Sequence, residues 1–202
     1  MNLKSLDDKS LRRFKALAFL TALIPLALLL VAAWQDELGA NPIEKITHET
    51  GYWTLTFLLL SLSLTPFRRL SGANWLLRFR RMLGLFAFFY ACLHFTTYLV
   101  LDQFFDWPAI AKDIFKRPYI TIGFTAFVLL MPLAVTSTNA MQRRLGGKHW
   151  KRLHRLSYLI AGAGVVHFIW LVKKDLTRPL LFAAVLALLL GIRVFYRLKA
   201  RF

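Results

Sequence analysis

Cysteine is nearly absent. The 202 residues contain one, Cys92, so no disulfide can form within the chain, and no C-x-x-C-H sequence exists for covalent c-type haem attachment. Acidic residues are also scarce, ten against 27 Lys and Arg, for a net charge of +17. There is no Gly-rich phosphate loop, no convincing internal repeat and no low-complexity tract. The first apolar run lacks a small-x-small cleavage site and is preceded by Asp7 and Asp8, which marks it as a retained helix and not a signal peptide. These gaps exclude a disulfide scaffold and a built-in nucleotide-binding domain.

Hydrophobicity is what the sequence has in excess: 57% of residues are hydrophobic, 15% are aromatic, and the mean hydropathy is +0.51. A spanning helix needs roughly 20 mostly apolar residues. Six runs qualify or nearly do: Phe14 to Trp34, Tyr52 to Pro66, Met82 to Leu101, Tyr119 to Thr136, Leu156 to Val172 and Pro179 to Tyr196. The second is short and predicts a steep helix or local thinning of the bilayer. With short connections between the runs, the expected fold is all-α, a single integral membrane domain of six transmembrane helices.

The charges orient it. Basic residues cluster at alternate connections: Lys4 to Lys15, Arg68 to Arg81, Arg143 to Arg155, and Arg193 to Arg201. Together these hold 20 of the 27 Lys and Arg, while eight of the ten acids fall on the other side. The positive-inside rule then places both termini in the cytoplasm. Because the cations flank apolar spans and do not stripe a soluble face, nucleic acid is excluded as a partner; membrane lipid is the expected one. The six tryptophans lie at or near expected helix ends, as amphipathic rings at headgroup level should.

Within the spans the chemistry is carried by histidine. His94 lies 12 residues into the third span, roughly 18 Å from its cytoplasmic end, and His167 lies 13 residues beyond His154, roughly 20 Å deeper. His94 and His167 are therefore at matched depth, and two facing imidazoles are what a six-coordinate haem iron requires. His154, beside Arg152 and Arg155, reads as a ligand at an inner level or as an interfacial residue; the ligand reading is favoured. His149 and His48 are expected in loops or at the interface. No histidine stands opposite His154. At that depth the third span offers Arg80 and Arg81, and Arg80 lies only about 40° off the face of His94, against about 140° for Arg81. A guanidinium is a poor metal ligand but pairs well with carboxylates such as haem propionates, so Arg80 is either an unusual axial partner or a propionate clamp. His154 and His167 are about 140° apart on a straight helix; either Gly162 and Gly164 between them allow a kink or bulge, or the two rings are approached from different sides.

The stretches RFRRMLGLFAFFYACLHFTTY and LAVTSTNAMQRRLGGKHWKRLHRLSYL resemble the MsrQ family, the haem-binding membrane subunits of bacterial periplasmic methionine sulfoxide reductase systems, within the ferric-reductase-like transmembrane domains. The likeness extends over nearly the whole chain, including KITHETGYW and KRPYITIG. The resemblance implies heme b, in one or two copies, and FMN. It implies electron delivery from the quinone pool or a cytoplasmic flavin reductase, across the bacterial inner membrane, to a periplasmic molybdenum-cofactor methionine sulfoxide reductase. The family's ligand histidines match His94, His154 and His167, while Arg80 replaces the second histidine usual on the third helix of the wider superfamily. Two other classes compete: a proton or metal transporter, disfavoured because no acid lies within a span and no helix is broken in repeated halves, and a non-redox anchor subunit.

Overall fold

The computed structural model describes residues 7–172 and 174–199; Lys4 and Arg201 of the charge count lie outside the described residues. All described secondary structure is helical: α1 (Asp8–Trp34), α2 (Pro42–Ser71), α3 (Arg80–Thr97), α4 (Trp107–Lys116), α5 (Pro118–Val135), α6 (Asn139–Leu153), α7 (Leu156–Leu171) and α8 (Thr177–Lys199). A 3₁₀ turn, Asn74–Phe79, leads into α3 and a π-helical turn, Tyr98–Asp102, leaves it. Each of the six apolar runs lies mainly in one of these helices, the third continuing from α3 into the π-helical turn. Four passages are long and apolar enough to cross a membrane, Asp8–Trp34, Asn74–Asp102, Pro118–Val135 and Thr177–Lys199, and Leu156–Leu171 is a shorter apolar helix. The chain is a multi-pass membrane protein. Its two compact units, residues 1–105 and 106–202, are described separately.

In the N-terminal unit, α2 is the helix whose composition departs most from an ordinary span, being rich in Thr and Ser. Those hydroxyls are tolerable in an apolar setting because they bond back to their own helix: Thr47 to Ile43 at 2.8 Å, Thr50 to Ile46 at 2.7 Å, Thr54 to Thr50 at 2.9 Å and Thr56 to Tyr52 at 2.8 Å. The helix is also twice as long as the apolar run, because Asn41 caps it by accepting from the Glu44 amide and Gly72, at φ 73°, closes it with its N–H on the Arg68 carbonyl. Trp53 thus lies inside a helix, not at its end. Ring contacts set the directions. Phe57 packs on both Phe86 and Tyr90, while Thr50 and Thr47 lie against His94, so α2 and α3 are antiparallel. Phe19 meets Phe86 and Ala22 meets Tyr90, so α1 runs parallel to α3.

Pro25 inside α1 has no N–H and strains the ladder around it. The buried Tyr90 supports that place: its hydroxyl donates to the Ala22 carbonyl at 2.8 Å and accepts from the Leu26 amide at 3.2 Å, bracketing the proline. Tyr90→Phe removes a partner from two backbone groups that have no water to replace it, at a cost of about 1–3 kcal/mol. A lowered thermal midpoint in detergent is the expected outcome; an unchanged one would mean that α1 needs no support at Pro25.

In the C-terminal unit, α5 and α7 are antiparallel, Tyr119 facing His167 and Thr136 facing His154. α8 returns antiparallel along α7, with Phe182 on Phe168 and the Arg193 guanidinium 4.8 Å over the Tyr158 ring. Two connections expected to be loops are helical. α4 is a short amphipathic helix, capped by Asp106, that turns Ile110 inward and leaves Trp107 and Phe115 exposed. α6 covers most of the basic fourth connection, bent at Gly146 where φ is 71°.

Within each unit the strand of charge has a consistent polarity. The start of α1, the end of α2 and the start of α3 share one end in the first unit, and carry Arg12, Arg13, Lys15, Arg68, Arg69, Arg78, Arg80 and Arg81. In the second, the end of α5, all of α6, the start of α7 and the end of α8 share one end, and carry Arg143 to Arg155 together with Arg193, Arg197 and Lys199.

Candidate haem-ligand histidines

His94 projects from α3 against α2. Its Nδ1 lies 2.9 Å from the Thr47 carbonyl, and because a carbonyl only accepts, Nδ1 carries a proton and donates it there. One turn along α2 from Thr47 is Gly51. A Cβ there would lie 3.1 Å from both Cε1 and Nδ1 of His94. The absence of that carbon matters for a directional reason: Cα–Cβ bonds tilt toward the helix N-terminus, so a side chain at position i+4 hangs over the carbonyl of residue i. Glycine uncovers the carbonyl and lets the imidazole lie on it.

His167 repeats the device in the other unit. Its Nδ1 donates to the Tyr119 carbonyl at 2.7 Å, and Gly123, again four residues on, would place a Cβ 2.7 Å from Nδ1 and 2.9 Å from Cε1. The carbonyl precedes its histidine by 47 residues in the first unit and 48 in the second. Both imidazoles are therefore oriented by a backbone acceptor on Nδ1. That is the arrangement by which proteins fix a metal-binding histidine, and each by itself suits a ligand to haem iron through Nε2. Among the described residues no group of three or more His, Cys, Asp or Glu converges as a bare-metal site.

His154 is held differently. The helix break falls at His154 itself, at φ −68° and ψ −4°, and not at Gly162 or Gly164, which lie within the unbroken α7. The expected 140° offset along one helix therefore does not apply, since His154 ends α6 and His167 sits on α7. Its ring stacks on Trp150, centroids 3.9 Å apart, and its Nε2 lies 3.1 Å from the hydroxyl of buried Thr136. The same threonine accepts the Trp150 indole N–H on its carbonyl at 2.8 Å. Nε2 of His154 is thus engaged by Thr136, and the ring would ligate through Nδ1 or by giving up Thr136.

Arg80 opens α3 half-buried, its carbonyl accepting from the Ser61 hydroxyl at 3.1 Å; Arg81 is exposed. His48 and His149 are exposed but lie on α2 and α6, not in loops. Sequence reading passed over Gly51, Gly123 and the carbonyls of Thr47 and Tyr119. It also counted Arg193 only as a topology signal, although its side chain is buried against Tyr158.

Residues 50–165 match the family described as ferric reductase like transmembrane component, a stretch that includes His94 and His154 and ends just before His167. Similar proteins include the protein-methionine-sulfoxide reductase heme-binding subunit MsrQ of Herminiimonas arsenicoxydans, 56% identical over 93% of this chain and 87% of that protein. The subunits of the same description from Azospira oryzae (55% identical, 95% and 82% covered) and Rhodospirillum rubrum (54%, 91% and 88%) are comparably close. The chain belongs to the ferric reductase like transmembrane component family and, within it, to the MsrQ subunits.

Proposed function

We propose that this chain is a b-type haem subunit of the bacterial inner membrane that carries electrons from the cytoplasmic side or the quinone pool to a periplasmic methionine sulfoxide reductase containing a molybdenum cofactor. The single observation that carries the reading is the repeated histidine clamp: two imidazoles, one per unit, each with Nδ1 on a carbonyl and a glycine at i+4 from that carbonyl. The names of the similar MsrQ proteins support the same cofactor. A bound haem supplies a one-electron carrier whose potential follows its axial ligands and burial.

The protein's contribution is to hold and orient. His94 and His167, at matched depth by residue counting along the sequence, would together hold an outer haem through their Nε2 atoms. Thr47, Tyr119 and the two glycines keep those rings from rotating. His154 and Arg80 serve an inner cofactor, His154 as ligand and Arg80 as propionate clamp, consistent with a guanidinium's preference for carboxylates. A second cofactor is required physically because one outer haem leaves much of a roughly 30 Å apolar core unbridged. FMN as that second carrier rests on family resemblance, with the basic stretch Arg143 to Arg152 as its phosphate surface. The six helices that hold the apolar runs form one membrane domain with six crossings and cytoplasmic termini, supported by the clustering of cations at one end of each unit.

The test is electron transfer across a sealed vesicle. Haem-loaded protein in liposomes, with ferricyanide inside and impermeant dithionite outside, should consume the internal oxidant faster than protein-free vesicles. Haem present without such consumption would leave a haem-binding anchor, and a proton or metal flux without a haem spectrum would favour a transporter. Thr136→Val removes the hydroxyl 3.1 Å from His154 Nε2 and should shift only the inner carrier in a redox titration; a shift confined to the outer haem would contradict the two-level assignment.

A further inference from the structure

We propose that the groove between α1 and α3 in the N-terminal unit is a binding site for one anionic phospholipid, its phosphodiester between Lys15, Arg78 and Arg81 and an acyl chain along the aromatic floor. The groove has a volume of about 430 Å³ and is lined by those three cations with Phe19, Leu23, Leu85 and Phe89 among its apolar walls. Because α1 and α3 run parallel, Lys15 followed by Phe19 and Leu23 on one side matches Arg78 and Arg81 followed by Leu85 and Phe89 on the other. All three charges therefore collect at one end and the apolar walls continue beyond them, roughly 12 Å from Arg81 to Phe89.

Charge complementarity fixes the occupant. Arg78 is paired at 2.9 Å with Asp8, but both side chains are largely exposed, at 57% and 81%, so the pair is weak and exchangeable. The site keeps a net positive charge of two even with Asp8 in place. A phosphodiester satisfies that charge, and the glycerol it carries bears the hydrocarbon that the floor requires. A zwitterionic lipid offers the same chains but brings a cation to a cationic mouth. A free phosphate uses the mouth and leaves the aromatic floor bare. Basic pockets between membrane helices on the cytoplasmic side are suited to anionic headgroups, and the cations here lie at the basic end of the unit. The site is independent of the haem reading.

The full chain purified in neutral detergent can be titrated with dioleoylphosphatidylglycerol or dioleoylphosphatidylcholine and the retained lipid counted by native mass spectrometry. One phosphatidylglycerol should be retained in preference to phosphatidylcholine. Lys15→Gln and Arg81→Gln should each lower that preference on the order of fivefold. Arg197→Gln with Lys199→Gln, which removes two positive charges from the exposed end of α8, should leave it intact. Leu23→Trp should reduce retention with every cation in place. Equal retention of both lipids by the unaltered chain would overturn the proposal, as would equal loss in the α8 control. Displacement by millimolar inorganic phosphate together with no effect of Leu23→Trp would assign the mouth to free phosphate instead.

Discussion

His94→Ala and His167→Ala should each abolish the same haem signal, lowering the occupancy of the outer site by at least about tenfold, the lower end of what perturbing even a second-shell partner of a metal ligand costs. The expectation is stronger than a generic loss, because the two substitutions lie in different compact units. Each removes one imidazole and leaves its anchoring carbonyl, on Thr47 or Tyr119, without that donor. If one haem is shared, the double variant should be no worse than either single one, and any remaining haem should have the spectrum and potential of the inner carrier in all three. Retention of a normal bis-histidine spectrum in either single variant would refute the pairing. His154→Ala should do the reverse, sparing the outer haem. This pattern separates a ligand from a histidine that only packs, whose loss would weaken the fold and diminish every signal together.

The second large effect is expected from a single methyl group. Gly123→Ala places a carbon 2.7 Å from His167 Nδ1 and 2.9 Å from Cε1, closer than such contacts occur, so the imidazole must leave the Tyr119 carbonyl or the helices must separate. Loss of an orienting partner of a metal-bound histidine costs roughly 10–100-fold in affinity. Gly51→Ala meets His94 at 3.1 Å, a contact that a shift of a few tenths of an ångström relieves, and should cost less. Helix propensity argues the opposite way, since Ala is favoured over Gly in a helix interior by about 0.5–1 kcal/mol. A Gly123→Ala protein with undiminished helix content and thermal stability but depleted haem would therefore isolate the clamp from the fold. Equal haem content in the Gly123→Ala and unaltered proteins would remove the clamp from the account.

How much of this was legible in the sequence depends on how locally each feature is encoded. The six apolar runs lie in helices because burial in lipid needs only composition and length. His94 and His167 stood out because an imidazole in a span is costly without a purpose. Helix boundaries were less legible. α2 extends ten residues upstream of its apolar run because its ends are set by Asn41 and Gly72, and α6 was read as a loop because Gly146 and six nearby cations outweigh hydropathy. A kink at Gly162 and Gly164 was one of two readings of the offset between His154 and His167, yet both glycines sit in unbroken helix and the break is at His154. Gly51 and Gly123 could have been found only by combining a glycine one turn beyond an arbitrary carbonyl with a histidine almost fifty residues later. Neither half of that pattern is distinctive alone. Tyr90 was invisible for the same reason: it serves Pro25 from a different helix, 64 residues from the Leu26 amide it accepts.

A low-temperature electron paramagnetic resonance spectrum of the full oxidised chain, with haem per protein counted on the same sample, addresses the central assignment most directly. At least one low-spin ferric centre with two imidazole ligands per chain, lost in both His94→Ala and His167→Ala, is the expected result. A chain that takes up no haem under haem-replete expression, or whose low-spin centre survives either substitution, would contradict it.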